Sequence, residues 1–436
     1  MPGWRDEHRS AAVTPGEAST SRSPARPLWR RALGPRLRAA GLALPLVAFV
    51  TVTFAGPMLS LLTKSFYDPE VADALPETIA ALRQWDGDGA PPDAVFAATA
   101  REFVAARTER TLGRTANRVN RVVSGMRSVI MGGSRLMVEA AAEAEAAGVT
   151  TDGAFWRETM IGIDARWRTP EPWRALRDAG QRFTARHYLK ALDFERGPEG
   201  GYVRQAEEWR IYVPLFWRTL KVSLGVTLLC LVIGYPIAHL IANSPPRRAN
   251  VLLLLVLLPF WTSLLVRTTS WIVLLQNQGI VNDFLVAVGL IGDENRIAMI
   301  YNMTGTFIAM THVLLPFLVL PLYSVMRSIP PAYMSAAASL GATPLQALRR
   351  VYWPQTLPGV GAGCLLTFIL AIGYYITPAL VGGQSGQLIS NMIAYHVQTS
   401  LNWGLAAALA ALLLGGVTAL YVVYDRLVGI DRLGLG

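Results

Sequence analysis

A chain of 436 residues has room for roughly two or three soluble domains, yet 52% hydrophobic against 16% charged residues, with a mean hydropathy of +0.34, excludes an ordinary water-soluble globule. The formal net charge of +10 invites nucleic acid as a partner, but its distribution argues otherwise. Residues 68–212 carry 20 basic and 22 acidic side chains, so the excess lies in short tracts beside apolar runs, where such charge sets membrane orientation.

In chain order, residues 1–40 hold eight arginines from Arg5 to Arg38 among Pro, Ser and Ala, and read as a disordered basic cytoplasmic tail. Residues 41–63 open with GLALPLVAFVTVTFAGPMLSLL, an apolar run longer than a signal-peptide core, and are expected to form the first transmembrane helix, amino end inside. Residues 68–212 follow as a hydrophilic, helical, periplasmic insertion. Between Ala100 and Ala147 there is no proline, and Phe103, Leu112, Val119, Val122, Val123, Met126 and Ile130 recur at helical intervals. The spacing predicts a long amphipathic helix or helical pair, interrupted near Gly132 and Gly133, with a second helical patch, Trp173 to Phe194, packed against it. Glutamates among its arginines make the basic face a solvated one, not a nucleic-acid site.

Residues 213–425 carry five further apolar runs: Val222 to Ala242, Val251 to Leu275, Met299 to Met326, Gly359 to Val381 and Leu401 to Tyr424. The second of these is broken by Pro259 and carries Arg267. Ile280 to Leu290 is apolar but too short to cross, which predicts a half-inserted or surface helix. About six spans with both ends inside put the tail arginines, Arg247, Arg248, Arg327, Arg349, Arg350, Arg426 and Arg432 on the cytoplasmic side, as the positive-inside rule requires. Residues 426–436 are then a cytoplasmic tail, and the fold class is an all-α membrane protein.

Residues 328–358 form a polar, basic interval between two of these runs. Pro331 suits the first turn of a helix over Ala332 to Leu340, and Gly341 can take the left-handed conformation that ends it. Thr343, Pro344 and Gln346 are spaced as a capping box for a second helix, and Trp353 is expected to stop that helix because Pro354 follows. Ser335, Ala336, Ala338 and Ser339 are small enough for another backbone to approach closely.

No catalytic pattern is present. None of Lys64, Lys190 and Lys221 follows glycine, so there is no Walker A motif, and HExxH and GxSxG are absent. Cys230 and Cys364 lie inside apolar runs, as packed core residues, and no metal site or cofactor is expected. No span holds Asp or Glu, which counts against a self-sufficient proton- or sodium-coupled carrier, the alternative class. His239 and His312 stand in separate spans and fit an interhelical hydrogen bond. Arg267 either lines a pathway or bonds carbonyls near Pro259.

SAAASLGATPLQALRRVYWPQTLP, Ser335 to Pro358, resembles the EAA loop of binding-protein-dependent ABC importer permeases. Ala336, Ala337, Gly341, Pro354, Pro358 and Gly359 match, whereas Ser335 stands where the family has glutamate. GYPIAHLIA at Gly234 to Ala242, LPFWTSLLVRTTSWIVLL at Leu258 to Leu275, GIVNDFL at Gly279 to Leu285, HVLLPFLVLPLY at His312 to Tyr323 and NWG at Asn402 to Gly404 resemble the spermidine/putrescine branch. The insertion is longer than that branch's loop, and its role is not inherited.

The resemblance implies the type-I six-span permease fold in a bacterial inner membrane, paired with a second homologous permease and served by a periplasmic substrate-binding protein. It also implies a cytoplasmic ABC ATPase dimer docked on Ser335, Ala336, Ala337, Gly341, Ala342, Pro344, Arg349, Arg350 and Pro354. With serine in place of the acid, docking would rest on small-residue packing and the two arginines. The implied solute is a polyamine, with an amino-acid-like compound as the alternative. Trp261, Trp271, Asp283, Tyr374 and Tyr375, with Arg267, are then the pathway candidates, since cations favour acidic and aromatic surroundings.

Overall fold

The computed structural model describes residues 41–197 and 201–428. The tail expected at 1–40 and the chain beyond residue 428 lie outside the described residues. The chain divides into two units, the first ending at Leu59 and the second starting at Ser60. Most of the candidate span Gly41–Thr63 belongs to the first unit, including a π turn at Thr51–Ala55, and its apolar window has no buried residue.

In the second unit, Tyr212–Ala242, Met303–Ser328, Pro344–Gly373 and Trp403–Arg426 are each long and apolar enough to cross a membrane. The pair Pro246–Trp261 and Leu264–Leu274, bent by 97°, makes one more if taken as a single span. That bend has a local cause: Pro259 lies in a short 3₁₀ turn, Thr262 is extended, and Ser263 caps the next helix by accepting from the Val266 N–H at 3.2 Å. Met303–Ser328 is the most enclosed span; Met310, Leu314, Leu318 and Leu322 pack in one core with Val222, Val226 and Cys230 of Tyr212–Ala242. Pro344–Gly373 closes on the same helix through glycine. A Cβ on Gly363 would lie 2.9 Å from the Leu318 carbonyl oxygen, so only glycine permits this approach.

Trp353 does not end a helix. It is itself helical, at φ −53° and ψ −48°, and the chain runs unbroken from Pro344 to Gly373. The turn before it, Leu348–Tyr352, is widened into a π turn, which relieves the crowding a proline imposes on the preceding turn of a regular α-helix. Side chains take up nearby carbonyls: Gln355 donates to Val351 O at 2.9 Å and Thr356 to Trp353 O at 2.8 Å. The run expected at Gly359 to Val381 breaks at Tyr374, which is extended, and resumes as Ile376–Val381.

The insertion is a helical cluster around Phe96, Phe103, Trp167, Trp173, Leu75 and Leu82, with the Trp173 indole donating to Trp167 O at 2.9 Å. The long helix or helical pair expected between Ala100 and Ala147 is three helices: Asp93–Thr108, Leu112–Asn120 and Met126–Ala146. The breaks fall at Arg110 and Gly125, whose φ values are 61° and 82°, while Gly132 and Gly133 lie inside the third helix. All three helices bury apolar residues in one core, among them Phe103, Leu112, Val119, Met126 and Ile130 of the repeat, whereas Val122 is exposed. The patch expected from Trp173 to Phe194 divides at Gly180, where a Cβ would collide with Ile79, into Pro170–Ala179 and Arg186–Ala191. It ends in a two-stranded antiparallel pair, Phe194–Arg196 with Tyr202–Arg204.

Asp193 joins the insertion to the next span. Fully buried, its carboxylate accepts from the N–H groups of Ile211, Tyr212 and Val213 at 3.1, 3.0 and 2.7 Å, filling the positive end of Tyr212–Ala242.

Candidate functional site

The interval 328–358 is built as the capping chemistry requires. Ala332–Ser339 ends in a Schellman motif: Gly341, at φ +84°, donates to Ala338 O at 2.9 Å and Ala342 donates to Ala337 O at 3.0 Å. Thr343 and Gln346 then form both halves of the capping box, at 3.0 and 3.4 Å, with Pro344 in the first turn. Ala337 and Ala347 face inward. Ser335, Ala336, Gly341, Pro344, Arg349, Arg350 and Pro354 are exposed, and Ala342 is half-buried. Ser335 turns its hydroxyl back to Pro331 O at 3.4 Å. Among the described residues neither Arg349 nor Arg350 has an ion-pair partner.

Two features of this interval escaped the sequence reading. Leu340 and Leu345 flank the Gly341 turn and are 89% and 73% exposed, an apolar pair with nothing of this chain over it. Their place beside a helix-ending glycine and a helix-starting proline was the available signal. The second is an aromatic anchor. Buried Tyr352 meets His239 edge-on, with ring centroids 5.0 Å apart, and Trp353 packs on Tyr235 at 4.9 Å, while the Tyr235 hydroxyl lies 3.3 Å from Thr356 Oγ1. Arg327 donates to Ala242 O at 2.9 Å. The interval is thus fixed to the carboxyl end of Tyr212–Ala242, so a force on its exposed face reaches two spans.

The pathway candidates separate. The Trp271 indole donates to His312 Nδ1 at 3.1 Å, and Thr268 and Thr377 hydroxyls meet at 3.4 Å, bringing the bent pair against Met303–Ser328 and Ile376–Val381. Arg267 folds back on the bend, donating to Thr262 O at 3.0 Å, with its Nε buried and unbonded. The Trp271 and His312 rings also meet edge-on, with centroids 5.3 Å apart. Tyr375 is partly exposed and its carbonyl accepts from Asn391 at 2.8 Å. Trp261 is 72% exposed, and Asp283 is paired with Arg296 at 2.7 Å; neither bonds to that cluster.

At the other end of these helices the insertion grips residues 400–404. Arg121 donates to Asn402 Oδ1 at 3.0 Å and to the carbonyls of Ser400 and Leu401 at 3.2 and 3.3 Å. The His187 imidazole fills the space a Cβ at Gly404 would need, which gives the glycine of NWG a reason in this chain. Behind it lies a buried charge cluster: Arg118 pairs with Asp68 at 3.1 Å and Glu70 at 3.2 Å, and His187 and Arg186 stand 3.7 and 3.8 Å from Asp68. Burial alone would raise the Asp68 carboxyl, but His187, Arg118 and Arg186 outweigh it and hold the group below the usual carboxylate range. Burial pushes the His187 imidazole down.

Five helices long and apolar enough to cross a membrane, or six with the bent pair taken as one span, define a multi-span membrane protein. Residues 230–429 match the family described as binding-protein-dependent transport system inner membrane component. The chain is 36% identical over 216 residues to the spermidine/putrescine transport system permease protein PotB of Haemophilus influenzae, covering 50% of this chain and 75% of that one. PotB of Escherichia coli is 34% identical over 216 residues, covering 50% and 78%. The molybdenum transport system permease protein ModB of Mycobacterium bovis is 30% identical over 206 residues, covering 47% and 75%. The chain belongs to this family: it is a multi-pass inner-membrane permease subunit of an ABC importer, not itself an enzyme.

Proposed function

We propose that this permease forms half of the translocation pathway of a polyamine importer, paired with a second, similar permease. A cytoplasmic ABC ATPase dimer docks on residues 328–358, and a periplasmic binding protein delivers the solute to the face that carries the insertion. Both termini are cytoplasmic. The observation that carries the docking role is the exposed Leu340 and Leu345 pair, held on two capped helices that are anchored through Tyr352 to a span. An apolar knob on a rigid stem suits insertion into a groove of another protein. The missing glutamate at Ser335 is then offset by apolar contact and by the free Arg349 and Arg350. Spermidine or putrescine is supported by the likeness to the PotB proteins over half of the chain. The scarcity of acid in the spans, where Asp425 at the end of Trp403–Arg426 is the one carboxylate among the described residues, favours the second reading, an amino-acid-like solute.

Co-purification with the ATPase tests the docking role. Leu340→Asp with Leu345→Asp should leave the permease inserted but strip it of ATPase, and retention at the unsubstituted level would refute the assignment. Uptake of labelled spermidine, putrescine and amino acids into proteoliposomes holding the whole importer tests the solute; amino-acid uptake without polyamine uptake would select the second reading.

A further inference from the structure

A cleft of about 520 Å³ opens in the insertion where the end of Leu112–Asn120, the helix Arg186–Ala191 and the strand pair meet. Arg121, Arg186 and Lys190 all line it, with Tyr202 offering a hydroxyl. Like charges collected on one wall repel, and such a wall persists in a folded protein where acids of the chain neutralise it or where a ligand does. The acids here are largely committed. Asp68, behind Arg186, pairs with Arg118 at 3.1 Å and with Arg186 at 3.8 Å, and Asp178, in the lining, has a partner of its own. Glu195 sits on the rim, exposed.

Lys190 is the group left over. Among the described residues it has neither an ion pair nor a hydrogen bond, and its charged neighbours of consequence are Arg186 and Arg121. Lys190 is exposed at the cleft, with the Arg186 and Arg121 guanidiniums lining the same wall. The volume falls within the range of small-molecule sites. Arg121 spends its donors on residues 400–402, so whatever occupies the cleft sits beside the joint to Trp403–Arg426.

We propose that this cleft binds a small anion through a carboxylate or phosphate group, held by Lys190 and Arg186 and closed by the Tyr202 hydroxyl. The site is separate from the docking interval and does not depend on which solute the importer carries.

Titration calorimetry on the full-length protein in detergent, with citrate and inorganic phosphate as probes and glucose as the uncharged control, tests it. Saturable binding of at least one anion is expected, with none of glucose. Binding of citrate alone assigns an organic acid, and of phosphate alone a phosphate group. Lys190→Gln should weaken binding by about tenfold or more, the loss of one charge-assisted bond, and Lys190→Arg should largely retain it. An unchanged melting temperature in Lys190→Gln separates this loss from misfolding. No saturable signal from either anion at millimolar concentration, equal affinity in Lys190→Gln, or displacement of the probe by sodium chloride equally in protein and variant would each overturn the proposal.

Discussion

The Arg121 guanidinium donates to the Asn402 side-chain oxygen at 3.0 Å, joining residues 281 positions apart in sequence and the insertion to the start of Trp403–Arg426. Two further bonds from the same group reach the carbonyls of Ser400 and Leu401. Arg121→Leu should therefore loosen this joint by about 1.5–3 kcal/mol, the range for a hydrogen bond to a charged group. Hydrogen exchange at residues 400–404 should accelerate while the Trp167 and Trp173 core stays protected. Unaltered exchange at 400–404 would show that the joint is held by other contacts.

The same joint should be sensitive to acid. The folded-state pKa of His187 is lowered from 6.5, so the unfolded chain binds more protons below that value, and stability is lost as pH falls from about 6.5 toward the folded pKa. Asp68 acts in the same direction at lower pH: its contribution is present above the ordinary carboxylate pKa of 3.8 and lost as pH falls through its depressed folded value. Thermal melts in detergent at pH 7.5 and 5 should show the insertion less stable at the lower pH. His187→Gln should flatten that difference, and an equal slope in the variant would assign the acid sensitivity elsewhere.

Gly341 separates two needs, space and backbone conformation. Nothing lies within 4 Å of a Cβ built there, yet its φ is +84°. Gly341→Val should strain the turn by about 1–2 kcal/mol and reduce ATPase retention, whereas Gly341→Asn, which tolerates the left-handed region, should retain more. Equal retention by both variants would show that the turn geometry does not matter for docking.

Tyr352 supports the interval 328–358 without lying on its exposed face. Tyr352→Ala should cost about 3–5 kcal/mol by analogy with large aromatic truncations in cores. Because Leu340 and Leu345 are untouched, the ATPase should still bind and hydrolyse ATP while uptake falls. Parallel loss of binding and uptake would mean that Tyr352 shapes the docking face itself.

The capped turns were legible because their chemistry is local: Gly341, Thr343, Pro344 and Gln346 each act within a few residues, and all behave as their types dictate. The spans were legible from apolar length, although Tyr212–Ala242 begins ten residues before the run that announced it, where amphipathic residues pack against the insertion. What sequence concealed was set by distant partners. Arg110 and Gly125 turn the chain between helices that bury apolar residues in one core, and nothing near Arg121 names Asn402. Among the pathway candidates, Trp271 reaches His312 from beyond the bend, whereas Asp283 is claimed by Arg296, close in sequence but unremarkable as a partner until folded.

The widened turn at Leu348–Tyr352 holds one residue more than a regular turn would. That surplus residue acts as a phase setting between the docking helices and the membrane helix beyond. Removing it would restore an ordinary spiral but swing Leu345 and its neighbours by about 100° around the helix axis relative to Gly359 and Gly363. On the docking role proposed above, the direction in which this permease would face an ATPase is therefore written in a single supernumerary residue, and a lineage that lost it would have to relocate the whole contact.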